Sequence, residues 1–234
     1  MSGESTWPPH SLPTPKPASP SALSADSARL EEEIKLTAPD RGVLDQVLED
    51  PRVRAKAVGA VRHIPYQDIY YDTPERALLR HALALRVRRS QKGRVVGLKG
   101  FGGVEDGVSR RQEWESPLAG DLGSLTDLPM GALREMVTLR VDAATPLEAL
   151  FTVSVDRRVV VLQLEEGVRG ELAVDLGEVV AGDKGVPLCE VEVEGVSGSF
   201  VPVQQFAEAL AERYRLEAAS FSKYSLGLEL LGLL

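Results

Sequence analysis

Six short runs of this 234-residue chain alternate charged and apolar residues with a period of two, and that alternation restricts the fold more than any other feature. Successive side chains of a β-strand point to opposite faces, so such a run carries its charges on one side of a sheet and its apolar residues on the other. In Leu30–Leu36, Glu31, Glu33 and Lys35 share a face opposite Leu30, Glu32, Ile34 and Leu36. Arg86 and Arg88 lie opposite Leu83, Leu85 and Val87, and Lys99 lies opposite Val96 and Leu98. Arg111, Glu113 and Glu115 alternate with Arg110, Gln112 and Trp114, and Glu171 and Asp175 with Leu172, Val174 and Leu176. Glu190, Glu192 and Glu194 alternate with Cys189, Val191 and Val193.

On a single strand this pattern marks a face turned to water. A solvated face ordinarily mixes Ser, Thr, Asn and Gln with its charges, whereas these faces are almost wholly Glu, Asp, Arg and Lys. Two further strands, His63–Tyr71 and Val153–Leu164, make a set large enough for a sheet to close on itself. In the second, Arg157 shares its face with Val155, Val159 and Val161, so alternation does not orient it. Helices are predicted over Pro39–Glu49, Leu128–Leu139, Phe200–Arg213 and Phe221–Leu233. Asp106-Gly107 has hairpin-turn chemistry, and Gly100–Gly103 reads as a hairpin connection. The predicted fold is α+β, a closed eight-stranded antiparallel β-barrel with flanking helices, its apolar faces covered by those helices and its charged faces lining a water-filled lumen. Residues 1–28, rich in Pro and Ser, are predicted to be a disordered tail, and residues 29–234 a single domain.

A lumen of both signs demands ligands. Crowded basic groups repel one another without an anion, and crowded carboxylates without a cation. A metal-bound triphosphate answers both needs: Arg forks onto phosphate oxygens, Lys acts as a point charge, and glutamates offer hard oxygens to Mg²⁺ or Mn²⁺. The formal charge of −8 lacks the basic footprint of a general nucleic-acid binder. One cysteine, Cys189, cannot form an internal disulfide, and no Cys/His cluster has zinc-ligand spacing. No stretch approaches the roughly 18 apolar residues of a membrane span. A cytoplasmic protein with neither nucleic-acid nor membrane partners is expected. His10, His63 and His81 read as surface or locally bonded residues, Tyr70–Pro74 as a strand end and turn, and Cys189 as packing.

The opening strand, Glu31-x-Glu33-x-Lys35, resembles the hallmark of the triphosphate tunnel metalloenzyme superfamily, also called CYTH. Tyr70–Pro74, Leu85–Arg88, Leu98–Gly100, Arg111–Glu115, Arg157, Glu171–Gly177, Glu190–Glu194 and Ser222-Lys223 follow in the order of its bacterial inorganic triphosphatase branch. The resemblance implies that Glu31, Glu33 and Glu192 bind metal, with Glu113, Glu115 and Glu190 completing the acidic set. It implies phosphate contacts by Lys35, Arg86, Arg88, Lys99, Arg111, Arg157 and Lys223, and it makes Glu31, Glu33 and Lys35 the catalytic strand. The implied activity is Mg²⁺- or Mn²⁺-dependent hydrolysis of tripolyphosphate or a triphosphorylated small molecule. Adenylate cyclase, thiamine triphosphatase and a non-catalytic polyphosphate-binding module are the alternatives. Tyr224-Ser225-Leu226 replaces the arginine that related triphosphatases carry after Ser-Lys, and a tunnel domain without the helical CHAD domain is expected.

Overall fold

The computed structural model describes residues 29–100, 102–105 and 108–234; the tail and the Asp106-Gly107 turn lie outside the described residues. The strands are β1 (Arg29–Thr37), β2 (Arg62–His63), β3 (Tyr66–Asp72), β4 (Leu83–Ser90), β5 (Gly93–Gly100) and β6 (Gly103–Glu105), followed by β7 (Val108–Pro117), β8 (Glu148–Glu165), β9 (Val168–Ala181), β10 (Lys184–Ser197) and β11 (Glu217–Ala218). Neighbours pair in the order β1-β10-β9-β8-β3-β4-β5-β7, and β7 pairs back onto β1. Every pairing is antiparallel, so eight strands close into the expected barrel.

The single strand expected over His63–Tyr71 is divided into β2 and β3. Pro65, at the break, has no N–H to give a ladder. Gly100–Gly103 is not a simple hairpin connection, because Gly103 already begins β6, which pairs with β7.

The helices are α1 (Arg41–Glu49), α2 (Pro51–Lys56), α3 (Ala77–Arg80), α4 (Ala132–Thr138), α5 (Val201–Tyr214) and α6 (Lys223–Leu230). The first begins later than Pro39 because Asp40 caps it, accepting a 3.0 Å hydrogen bond from the Val43 amide. Asp50 caps α2 in the same way, with Pro51 pre-set for a first helical turn. The helix expected over Leu128–Leu139 is shortened to α4, preceded by a 3₁₀ turn at Leu125–Asp127. Asp72 ends β3 and accepts bonds from the amides of Thr73, Leu78 and Leu79, which ties the Tyr70–Pro74 turn to α3.

Two apolar clusters lie outside the barrel. Ile34, Leu36, Val160, Leu162, Leu172, Val174, Val191 and Val193 pack under α1, α2 and α5. Leu83, Leu85, Val87, Val96, Leu98 and Trp114 pack under the segment from Leu118 to Val141 that contains α4. The third cluster lies inside, and it corrects the expectation of a uniformly charged lumen. Val153 pairs with Asp68, and Phe151 with Tyr70, so both share the inward face with Arg157. Val155, Val179 and Leu188 join them, and Tyr224 and Leu228 of α6 pack on the set. One half of the lumen is therefore apolar and filled by the C-terminal helix. Gly227 allows the approach, since a Cβ there would lie 2.2 Å from the Phe151 ring. On β8, Val153 and Val155 belong to this apolar half, and Arg157 follows them on the same inward face.

Candidate functional site

The charged half of the lumen encloses a cavity of about 430 Å³. Its walls carry eight carboxylates, Glu31, Glu33, Asp68, Glu113, Glu115, Glu171, Glu192 and Glu194, and eight cations, Arg29, Lys35, Arg86, Arg88, Lys99, Arg111, Arg157 and Lys223. The two sets balance, so an entering polyanion has to bring or attract cations of its own. Of the residues singled out from sequence, all but Glu190 line the cavity; Glu190 is buried beneath Lys223.

Each of these cations reaches at least one carboxylate on another strand. Arg111 of β7 donates to Glu31 at 2.7 Å and also to Glu33 on β1. Lys99 of β5 contacts both oxygens of Glu31, at 3.2 and 3.0 Å, and Glu113 at 3.3 Å. Lys35 bridges Glu33 at 3.4 Å and Glu192 at 3.0 Å. Arg86 donates to Asp68 at 2.8 Å and to Glu113 and Glu115 at 2.9 Å each. Its guanidinium lies against Gly97, where a Cβ would stand 3.2 Å from Nε, so the glycine opposite Arg86 on β5 makes its berth. Arg157 grips Asp175 through two 2.7 Å bonds and also reaches Glu192.

Lys223 begins α6, whose Ser222 cap and Ser225 exchange reciprocal hydrogen bonds. Its ammonium lies 2.5 Å from Glu190, 2.8 Å from Glu192 and 2.9 Å from Asp175. These carboxylates hold oxygens within 4.8 Å of one another, a grouping able to surround a metal ion. The lysine already stands among them, and an ammonium has three N–H donors to satisfy three acceptors.

Burial alone would raise the carboxyl pKa values, and the cations reverse it. Burial works against Glu31, yet Lys99 and Arg111 hold it at about 2. Burial opposes ionisation of Asp68 also, and Arg86 and Arg88 overcome it. Glu192 is held well below the usual carboxylate range against burial by Lys223, Lys35 and Arg157. Glu194 is the exception, raised to about 7 by burial and by repulsion from Glu31, Glu33 and Glu171, with Arg29 opposing.

Sequence reasoning did not single out Asp68, Tyr66, Tyr70, Arg29, Glu171, Asp175 or Glu194 as site residues, though all but Asp175 line the cavity. Glu171, Asp175 and Glu194 already stood on charged faces, and continuing the alternation would have found them. Asp68 is hidden between Tyr66 and Tyr70 on its face of β3, where aromatic neighbours mask the charge pattern.

Among the described residues, the cavity wall has no cysteine or histidine. Its donors are carboxylate oxygens, the hard set that suits Mg²⁺ or Mn²⁺ rather than a thiolate-seeking metal.

Fold and site together define a β-barrel with a charged tunnel. The chain belongs to the CYTH domain family, whose model matches residues 30–225. An inorganic triphosphatase of Haemophilus influenzae is 28% identical over 159 residues, 68% of this chain and 44% of that protein. The chain thus spans less than half the length of that relative. HpAC1 of Hippeastrum, an adenylyl cyclase candidate described as having a dominant triphosphatase activity, superposes with a TM-score of 0.61 at 21% identity, covering 87% of this chain and 97% of the other. An adenylate cyclase candidate of Bacillus halodurans superposes with a TM-score of 0.55 at 16% identity, over 82% and 95% of the two chains. These two likenesses establish the fold.

Proposed function

We propose that the protein is a divalent-metal-dependent triphosphatase that cleaves inorganic triphosphate into diphosphate and phosphate. The observation that carries this reading is the balanced wall of eight carboxylates and eight cations in one closed lumen. A triphosphate adds several negative charges, so the wall can accept it only together with cations, and carboxylates released by the basic residues are the natural holders of those cations. The Haemophilus influenzae relative supports inorganic triphosphate as the substrate.

On this reading Glu31, Glu33 and Glu192, with Glu194 beside them, hold the cation. When bound, it neutralises phosphate charge and makes water a better nucleophile. Arg86, Arg88, Lys99, Arg111, Arg157, Lys35 and Lys223 bind and align the phosphoryl chain, which is most of what phosphoryl transfer asks of a protein. Glu113 and Glu115 hold Arg86, and Glu113 also holds Lys99. Glu194 stands opposite Glu33 on the cavity wall and completes the acidic side of that seat.

A substrate panel tests this. With Mg²⁺ or Mn²⁺, kcat/KM for tripolyphosphate is expected to exceed that for ATP and thiamine triphosphate. Formation of cyclic AMP from ATP as the fastest reaction would replace hydrolysis with cyclisation. Tight binding without phosphate release would make the protein a polyphosphate-binding module.

A further inference from the structure

We propose that Asp68 and Asp175 are positioning residues that aim the arginines of the tunnel at phosphate, and that neither is a metal ligand. The inference rests on the triphosphatase reading above for the identity of the anion.

The two aspartates are built alike. Asp68 is 1% exposed and Asp175 fully buried. Asp68 accepts a forked pair of 2.8 Å bonds from Nε and Nη2 of Arg88, and a third from Arg86. Asp175 accepts a forked pair of 2.7 Å bonds from Nε and Nη2 of Arg157, and a contact from Lys223 at 2.9 Å. A fork of this kind fixes the plane of a guanidinium as well as its place.

The grip leaves one side of each guanidinium unused. Among the described residues, Nη1 of Arg88 and Nη1 of Arg157 make no hydrogen bond to protein, and neither is a buried unsatisfied atom. Both arginines line the cavity, so these N–H groups are presented to whatever fills it. Tyr66 joins the two units, with the Arg88 guanidinium 3.8 Å from its ring centre, Arg157 at 5.5 Å, and its hydroxyl donating a long 3.5 Å bond to Asp175.

The second half of the proposal follows from where the two aspartates stand and what they already serve. Asp175 spends both oxygens on Arg157, and Lys223 stands where a cation bound by Asp175, Glu190 and Glu192 would stand. For Asp68, both oxygens are taken by Arg86 and Arg88. Asp175 does not line the cavity, and Asp68 lies on β3, which pairs with β4 and β8 and not with β1 or β10, the strands of Glu31, Glu33 and Glu192.

The test uses the full chain and the variants Asp68→Asn and Asp175→Asn, with Glu33→Gln as the metal-site control. Affinity for tripolyphosphate is measured by calorimetry, and Mn²⁺ affinity without substrate by electron paramagnetic resonance. Each aspartate variant is expected to weaken tripolyphosphate binding roughly 10- to 100-fold, the loss of one or two charge-assisted contacts. Mn²⁺ affinity should stay at the wild-type value in both while falling in Glu33→Gln. Loss of Mn²⁺ binding in Asp175→Asn to the same degree as in Glu33→Gln would make Asp175 a ligand and overturn the proposal. So would wild-type tripolyphosphate affinity in both aspartate variants. If the wild type binds tripolyphosphate without releasing phosphate, the triphosphatase reading falls and the affinities still decide the role of the aspartates. If it binds none, both fall. Should an Asn variant fail to fold, Asp175→Glu and Asp68→Glu keep the charge but displace the fork, and the same weakening is expected; wild-type affinity there overturns the proposal.

Discussion

Glu33 on β1 and Glu194 on β10 stand directly opposite each other across an antiparallel ladder, both turned into the lumen. Like charges so placed destabilise a sheet unless something lies between them. Glu33 is served by Arg111 and Lys35, whereas among the described residues Glu194 is served by Arg29 alone. Glu194 is thus the less compensated member of the pair.

This imbalance gives a stability test. The pKa of Glu194 in the fold lies at about 7, above its ordinary 4.5, so its charged form is disfavoured in the folded state. The penalty is absent below about pH 4.5, grows as pH rises, and is complete above about 7. Glu194→Gln is therefore expected to raise the melting temperature at pH 8 in chelator, by an amount equivalent to roughly 1–3 kcal/mol, and to leave it unchanged at pH 4. Thermal unfolding at the two pH values checks both halves. A variant less stable than wild type at pH 8 would mean that Glu194 is not strained.

The remaining network makes the opposite demand. Glu31, at about 2, and Asp68, Glu113, Asp175 and Glu192, all lowered, bind their cations only when ionised. Their contribution is full above the ordinary carboxylate range and is lost as pH falls toward the folded values. Circular dichroism is expected to show cooperative acid unfolding below about pH 4. Retention of the folded signal and melting temperature down to pH 2 would contradict the network's role.

Gly227 sets how deeply α6 enters the barrel. Gly227→Ala should push the helix away from Phe151, cost roughly 1–3 kcal/mol, and draw Lys223 out of its three-carboxylate seat. Denaturant unfolding gives the cost. Trimming the obstacle in Gly227→Ala/Phe151→Leu should recover part of it, and an additive double variant would show that the contact is not the cause.

The eight barrel strands were legible in the sequence because the pleat forces a period of two, and Glu31, Arg86, Arg111 and Glu192 fell on the lumen face by that rule alone. The helix inside the barrel was not legible. Val153, Val155, Val179 and Leu188 occupy inward positions, yet alternation cannot say whether such residues meet water, a ligand or another helix. The partners of Asp68 and Asp175 were hidden for a related reason, since Arg88 meets Asp68 through the register of the β3–β4 ladder and Lys223 meets Asp175 through the docking of α6, and alternation specifies neither.

The double variant Glu31→Gln/Glu33→Gln removes the acidic pair from the opening strand. Loss of metal-dependent turnover by roughly 10³-fold or more is expected, with Arg111 left without its two carboxylate partners on β1. Steady-state phosphate release measures it, and undiminished turnover would remove these residues from the chemistry.

The most direct measurement follows tripolyphosphate by ³¹P nuclear magnetic resonance in the presence of the protein and Mg²⁺. The expected spectrum loses tripolyphosphate while phosphate and diphosphate grow in equal amounts, and the reaction stops on addition of chelator. Tripolyphosphate that persists unchanged with Mg²⁺ or Mn²⁺, or a loss that continues in chelator, would contradict a metal-dependent triphosphatase tunnel.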